Sequence, residues 1–166
     1  MDELIRQIRA ASAVGLHYLA LFGALSLPDI CGSLASERGS ATPTTYKEWL
    51  KANVPEHAQQ ADLIYALRSS LLHQGRAKPH GSLLPVAFTF PSPNAGQLHN
   101  LSVVSPSGEG TGFMSIPMLV QEITTGAERW LTQYGDTNRV KKNMEKFARY
   151  RPEGLPGIIA GAPVIA

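Results

Sequence analysis

Apolar residues recur along most of the chain at the three- and four-residue spacing of amphipathic helices. Residues 58–74 show this spacing most clearly, and Gly75 follows where a C-terminal glycine cap belongs. The apolar stripe of this segment consists of Leu63, Ile64, Leu67 and Leu71. The pattern therefore predicts a helix that buries one face and ends near Gly75.

Five further helices are predicted from apolar spacing, capping residues and prolines. They are an N-terminal helix that ends near Leu27 before Pro28, a short helix from Asp29 as N-cap to Ser36, a helix opened by Thr42 and Pro43, a helix from Ser115 to Tyr134, and a last helix capped by Asp136 or Thr137. The last of them places Val140, Met144, Phe147 and Ala148 on one face.

Two short segments alternate as strands do. Residues 86–90 and, more weakly, 101–103 show this alternation, with a turn-rich connection over 91–96. We therefore expect a β-hairpin at about 84–105, inserted into a helical domain that covers residues 1–150. The glycine-rich segment 108–112 lacks the G-K-[ST] ending of a phosphate-binding loop and is interpreted as a flexible connection. Residues 151–166 are rich in proline and glycine and predict an extended tail.

The stretch from residue 10 to residue 28 carries no charge. Its length of about 19 residues reaches the lower edge of a membrane span, and Arg6 and Arg9 ahead of it resemble the start of a signal peptide. Asp2 and Glu3, however, suit the positive end of a helix dipole, and small and polar residues dilute the apolar stretch. The favoured interpretation is a helix buried by tertiary packing or by a partner subunit, and the alternatives are contact with a membrane and a cleaved signal peptide.

Composition narrows the class of protein. Charged residues make up 17 % of the 166 positions, against about 25 % in an average soluble domain, so this chain must bury much surface, associate with a second copy or contact a membrane. The single cysteine, Cys31, excludes an intrachain disulfide and fits a reducing, cytoplasmic location. The five histidines show no metal-binding spacing, so neither a metal nor another cofactor is expected.

Arg68 and His73 form the one combination with a chemical implication. Histidine exchanges protons near neutral pH, and arginine offers a planar set of donors to a phosphate. Phosphoryl transfer without a metal needs both functions, and Ser69 could bind the same phosphate or orient His73. On an ideal helix the two side chains point about 140° apart, so they converge only if the helix ends near His73 or if two copies meet.

Each of these residues also has a purely structural interpretation. Arg68 could pair with a carboxylate beside the apolar stripe, and His73 could cap the C-terminal end of its helix. The spacing alone leaves both interpretations open.

The R-x-x-x-x-H segment near the end of a core helix resembles the motif of the HEPN superfamily. Residues 27–31 (LPDIC) and 67–75 (LRSSLLHQG) are also similar to uncharacterised bacterial proteins of that group. The resemblance implies a bundle of four or five helices and a symmetric homodimer in which two motifs meet in a cleft. It further implies metal-independent RNA cleavage in toxin–antitoxin, defence or stress systems, with an antitoxin or another protein as a partner.

Carried over to this chain, the resemblance assigns phosphate stabilisation to Arg68 and acid–base catalysis of attack by the 2′-hydroxyl to His73. Ser69 holds the polar position of the motif, where Asn, Asp or His is more typical. The inserted strands also depart from the usual plan. Many members of the superfamily are non-catalytic, so a helical dimer that acts as a protein-interaction module is the alternative function.

The C-terminal helices carry an excess of positive charge. Residues 128–153 contain seven basic side chains against four acids, which could follow an RNA backbone or simply form a solvated face. The candidates for RNA binding are Arg139, Lys141, Lys142, Lys146 and Arg149, with Tyr134 and Tyr150 as candidate stacking residues.

Overall fold

The computed structural model describes residues 1–79, 84–90 and 98–166. Within these residues the chain is mainly helical, as predicted, with a small sheet between the fourth and fifth α-helices. The helices are α1 (Asp2–Ala13), α2 (His17–Ala35), α3 (Pro43–Asn53), a 3-10 helix (Pro55–Gln60), α4 (Ala61–Gln74), α5 (Ile116–Tyr134) and α6 (Asn138–Met144).

The N-terminal region differs from the prediction of one helix that ends before Pro28. Two helices are present, and the chain turns between them at Gly15, whose φ of 79° is in the left-handed region that glycine adopts without strain. Pro28 lies inside α2, and Asp29 is therefore an interior helix residue instead of an N-cap. Pro28 and its neighbour Leu27 are buried, and this packing compensates for the backbone hydrogen bond that a proline removes.

Helix α2 forms the centre of the molecule and packs against the other five α-helices. Its fully buried side chains include Leu21, Leu25, Leu27 and Cys31. The Tyr46 hydroxyl of α3 donates a hydrogen bond of 3.1 Å to the Leu25 carbonyl oxygen, which fixes α3 against α2. The predicted burial of the charge-free segment therefore holds for residues 20–28, which are largely enclosed in the apolar core, whereas residues 10–19 are exposed or half-buried.

Two of the predicted helix ends are confirmed. Thr42 and Thr45 form a reciprocal capping box ahead of α3, with Pro43 in the first turn. Gly75 closes α4 with a φ of 65°, and its N–H and that of Arg76 bond to carbonyls of the last turn.

The predicted β-hairpin is wrong in its pairing. The strands are β1 (Val86–Thr89), β2 (Leu101–Val104) and β3 (Gly110–Ser115), in the order β1-β3-β2. Strand β3 pairs parallel to β1 and antiparallel to β2, so the segment interpreted as a flexible connection supplies the central strand. Its glycines hide the alternation on which the prediction depended. The turn predicted over 91–96 lies outside the described residues.

The C-terminal segment forms two small antiparallel pairs. Strand β4 (Tyr150–Arg151) pairs with β7 (Val164–Ile165), and β5 (Gly154–Leu155) pairs with β6 (Ile159–Ala160). Helix α6 ends at Met144, earlier than predicted, so Phe147 and Ala148 lie beyond it.

Candidate functional site

The end of α4 brings Arg68 and His73 together. Arg68 Nη1 lies 3.4 Å from His73 Nε2, although an ideal helix separates the two side chains by about 140°. The long arginine side chain spans this angle, and the left-handed cap at Gly75 ends the helix directly after the histidine turn. The predicted convergence at a helix end is therefore present within one chain.

The direction of this hydrogen bond shows which nitrogen of His73 carries the lone pair and which carries the proton. A guanidinium can only donate, so Nε2 of His73 accepts, and the proton of the neutral ring lies on Nδ1. The distance of 3.4 Å makes the contact weak, and the His73 side chain is exposed. Nε2 is thus a basic nitrogen at the surface that a substrate can reach once Arg68 turns towards another acceptor.

Asp29 is a third member of this cluster, which we call the α4 cluster (Asp29, Arg68 and His73). Its Oδ2 lies 2.6 Å from Arg68 Nε, and both side chains are about four-fifths buried. The two atoms nevertheless lack the alignment of a hydrogen bond with any described residue, so this is an ion pair that leaves hydrogen-bonding capacity unused. Asp29 was expected from the sequence to cap a helix, and its pairing with Arg68 is a role that no local pattern indicates.

Burial affects the Asp29 carboxyl more than its neighbours do. Desolvation raises the pKa of Asp29 above its ordinary value, although the charges of Arg68 and His73 and the close approach of Arg68 act to lower it. The ionised form is therefore held against a desolvation cost, and it depends on the guanidinium beside it.

The structure does not bring Ser69 into the cluster. Its side chain is half-buried, and its hydroxyl has no hydrogen bond to another residue in the described part of the chain. Its predicted contact with a phosphate stays a prediction.

A small pocket of about 320 Å³ lies between Asp29 and the segment after α6, and neither Arg68 nor His73 lines it. Asp29 forms part of one wall, and Lys146 and Phe147 from the segment after α6 form part of another. Asn143 holds α6 against the end of α2 by donating to the carbonyls of Leu34 and Ser36, each at 2.9 Å. Of the predicted RNA-binding residues, Lys146 is the one placed beside a member of the cluster.

The other predicted RNA-binding residues lie in different settings. Arg139 pairs with Glu37 at 3.5 Å, Lys141 pairs with Asp136 at 3.0 Å, and the backbone of Arg149 pairs with that of Ala166. Lys142 is exposed and has no ion pair with any described residue. These side chains do not form one continuous contact with the α4 cluster.

A second cluster was missed by the sequence analysis. His57 Nε2 and His99 Nε2 lie 2.8 Å and 3.1 Å from the same carboxylate oxygen, Oε2 of Glu122, and the three ligand-type atoms lie within 4.8 Å of one another. We call this set the buried cluster (His57, His99 and Glu122). It joins the 3-10 helix, the segment before β2 and α5, which are far apart in sequence, so no local motif could have indicated it.

The backbone N–H of Ser115 determines which ring nitrogen of His99 carries the proton. The Ser115 N–H donates to His99 Nδ1 at 3.1 Å, so the proton of the neutral ring is on Nε2 and points at Glu122. A metal ion would need the lone pair of Nε2 and a proton on Nδ1, where the Ser115 N–H already points. Two histidines and a carboxylate are a metal-binding set by type, but the hydrogen bonds of His99 do not fit a metal in this arrangement.

The protons of His57 are fixed through two amides. The Asn100 amide nitrogen donates to the Glu56 carbonyl, and the Asn100 amide oxygen accepts from the amide nitrogen of Gln60. The amide oxygen of Gln60, Oε1, therefore faces His57 and accepts from its Nδ1 at 3.3 Å. Both nitrogens of this fully buried ring therefore face acceptors.

Two opposing effects act on the pKa of the Glu122 carboxyl. Burial alone would raise its pKa, but the hydrogen bond from His57 and the charge of His99 outweigh burial and hold the pKa below its ordinary value.

The single cysteine offers no nucleophile. Burial raises the pKa of the Cys31 thiol to about 12, so the reactive thiolate is not formed near neutral pH.

Helix α2 is long and apolar enough to cross a membrane by length and composition. Half of that stretch is buried inside the protein, and both the core helix of a soluble protein and a signal sequence near the N-terminus can have this length and composition. Comparison of the chain with protein-family models, curated proteins and solved structures finds no match.

Proposed function

We propose that the protein is a HEPN-like, metal-independent endoribonuclease of the cytoplasm, acting in a toxin–antitoxin, defence or stress system. The observation that carries this proposal is the 3.4 Å approach of Arg68 to the exposed Nε2 of His73. A guanidinium, which can bind an anion, is thus adjacent to an imidazole nitrogen, which can accept a proton. The resemblance of residues 67–75 to the superfamily motif supports the same conclusion.

In the proposed reaction the 2′-hydroxyl of RNA attacks the adjacent phosphorus. His73 Nε2 takes the hydroxyl proton, the 2′-oxygen–phosphorus bond forms, and the bond from phosphorus to the 5′-oxygen breaks. The products are a 2′,3′-cyclic phosphate and a 5′-hydroxyl end. The leaving oxygen takes its proton from solvent or from His73 of a second copy, because attack and departure occur on opposite sides of phosphorus.

Arg68 stabilises the charge that develops on the phosphate oxygens. Its guanidinium is held through Nε by Asp29, which leaves the Nη atoms for the substrate. The weak contact with His73 is exchanged for a phosphate oxygen on binding. Lys146, across the small pocket from Asp29, supplies a second positive charge to the RNA backbone.

The test is cleavage of single-stranded RNA by the purified protein in EDTA. We expect Arg68→Ala and His73→Ala each to lower the rate by about 100-fold or more, the range of a lost acid–base group or charge stabiliser. Gln74→Ala, an exposed neighbour of His73 on the same turn, is the matched control and keeps the wild-type rate. Wild type that cuts no RNA, or variants that all cut equally, would refute the enzyme proposal.

A second candidate function is a non-catalytic helical dimer that serves as a protein-interaction module. Several large apolar side chains exposed at the turn between α1 and α2 favour it. This alternative predicts a stable protein complex and RNA cleavage that is absent in wild type as well as in the variants.

A further inference from the structure

A pocket of about 750 Å³ lies between the C-terminal end of α2, one face of α3, the end of α5 and the start of α6. Small residues, Gly32 and Ala35 on α2 and Ala52 on α3, leave the space between these helices unfilled. The volume is within the range of roughly 300–1,000 Å³ that small-molecule sites occupy. We call it the tryptophan pocket, because the two tryptophans of the chain, Trp49 and Trp130, both line it.

Three aromatic side chains give the tryptophan pocket its chemical character. Trp49 comes from α3, and Trp130 and Tyr134 come from successive turns of α5, with their ring centroids 6.2 Å apart. The tryptophans are 5 % and 4 % exposed and Tyr134 is 41 % exposed, so the aromatic lining includes both buried and accessible rings. The face of an aromatic ring attracts a cation, and tryptophan does so most strongly. Such a lining suits an organic cation or a neutral apolar molecule.

The charges of the pocket distinguish between these two kinds of ligand. Glu48 and Arg139 are the charged side chains among the described residues that line it. Arg139 is already balanced, since its guanidinium lies 3.5 Å from the Glu37 carboxylate and 3.5 Å from the Ala35 carbonyl. Glu48 is exposed and has no hydrogen bond or ion pair with any residue that the structure describes. The unbalanced charge of the pocket is therefore negative.

We infer that the tryptophan pocket binds a small organic cation with a quaternary ammonium group. The aromatic rings and the Glu48 carboxylate both attract positive charge, and neither satisfies an anion. A quaternary ammonium has no N–H that needs an acceptor, so it enters an aromatic site without leaving a hydrogen bond unmade. A primary ammonium would need such acceptors, which ring faces do not supply.

This binding site does not depend on the proposed RNA cleavage. Asp29, Arg68 and His73 are absent from the described residues that line the tryptophan pocket. Ligand binding and RNA cleavage can therefore be lost separately, and the outcome of one experiment does not determine that of the other.

The experiment is a titration of the full chain with choline, followed by tryptophan fluorescence. Both tryptophans line the pocket, so their emission reports on its occupation. The matched probe is dimethylbutanol, the uncharged analogue of choline in which carbon replaces nitrogen. We expect saturable binding of choline with an affinity about tenfold higher than that of the analogue, the range of a cation beside aromatic faces.

Replacement of the free carboxylate tests the source of the selectivity. Glu48→Gln should lower the affinity for choline by about threefold and leave that for dimethylbutanol unchanged, because the variant removes one exposed charge. Glu153→Gln removes an exposed acid of the C-terminal segment, which does not line the pocket, and should keep the wild-type affinity for choline.

Replacement of the accessible ring tests the aromatic contribution. Tyr134→Leu keeps an apolar side chain but removes the ring face, and we expect an affinity for choline about threefold lower with that for dimethylbutanol unchanged. Unchanged far-ultraviolet circular dichroism shows that the variants are folded.

The absence of saturable choline binding to wild type would overturn the inference. Equal affinities for choline and dimethylbutanol would also overturn it, because the pocket would then select apolar shape and not charge. Equal effects of Glu48→Gln and Glu153→Gln would show that the cation binds elsewhere. Phosphatidylcholine vesicles carry the same ammonium group on a lipid, and sedimentation with them that choline prevents would identify a headgroup as the source of the cation and support the site.

Discussion

The α4 cluster and the buried cluster each combine a carboxylate with histidine, but the two differ in exposure and in hydrogen bonding. In the buried cluster Glu122 accepts from two histidines, and each histidine is fixed on its other nitrogen by a backbone or amide group. In the α4 cluster the Asp29–Arg68 pair is close but poorly aligned, and His73 is exposed with one weak contact. Chemical type alone would rank the buried cluster first as a site.

The difference lies in what remains for a ligand. A buried network whose members bond to one another positions secondary structure, whereas an exposed histidine beside an arginine can exchange its contact for a substrate. We therefore expect substitutions in the buried cluster to lower the free energy of unfolding, and substitutions in the α4 cluster to lower the rate of RNA cleavage.

Removal of Glu122 should have the largest effect on stability. Glu122→Ala leaves His57, which is fully buried, with an unpaired nitrogen, and we expect a loss of about 2–3 kcal/mol in the free energy of unfolding. Glu128→Ala removes an exposed carboxylate from the same helix and should cost about 1 kcal/mol or less. Urea denaturation of both variants provides the comparison, and equal small losses would contradict a structural role for the buried cluster.

Replacement of Asp29 should affect activity more than stability. Asp29→Asn keeps the size of the side chain but removes the charge that holds Arg68, so we expect about tenfold slower cleavage, with the loss in kcat instead of KM. The free energy of unfolding should change by less than about 1 kcal/mol, because the variant removes a desolvation cost together with the ion pair.

Glu37→Gln is the control for this variant, since it removes another acid that pairs with an arginine, and it should cleave at the wild-type rate. A kcat equal to that of wild type in Asp29→Asn would show that Asp29 does not position Arg68.

The two carboxyls should also give opposite pH dependences of stability. The pKa of Glu122 is lowered by its histidine partners against the effect of burial, so its contribution is present above the unfolded value of about 4.3 and is lost as the pH falls through the folded pKa. The pKa of Asp29 is raised by burial, so its contribution is present below about 3.9 and is lost as the pH rises through the folded pKa.

Urea denaturation between acid and neutral pH measures both effects. Glu122→Gln should reduce the gain in stability with rising pH, and Asp29→Asn should reduce a loss. The same pH dependence in both variants would contradict the opposite directions assigned to the pKa shifts of Glu122 and Asp29.

The main helices could be predicted from sequence because their signals are local. Apolar spacing and Gly75 identified α4 and its end, and the residues at Thr42 and Pro43 identified the start of α3. Tertiary packing overrode local signals elsewhere. Pro28 ends a helix in isolation, yet it is tolerated inside α2, where the surrounding core compensates for the lost bond.

The candidate site could be predicted only in part. Arg68 and His73 are five residues apart and were found from a local motif. Asp29 is distant in sequence from Arg68, and only its position as the first charge after a long uncharged stretch sets it apart. The members of the buried cluster come from three separate segments, and neither spacing nor composition indicates that they meet.

The rate of RNA cleavage by wild type and by His73→Ala, measured in EDTA at matched stability, tests the central claim most directly. We expect wild-type products with 2′,3′-cyclic phosphate ends and a rate at least about 100-fold lower in the variant. Equal rates in the two proteins, or no cleavage by wild type, would contradict the assignment of the α4 cluster as an active site.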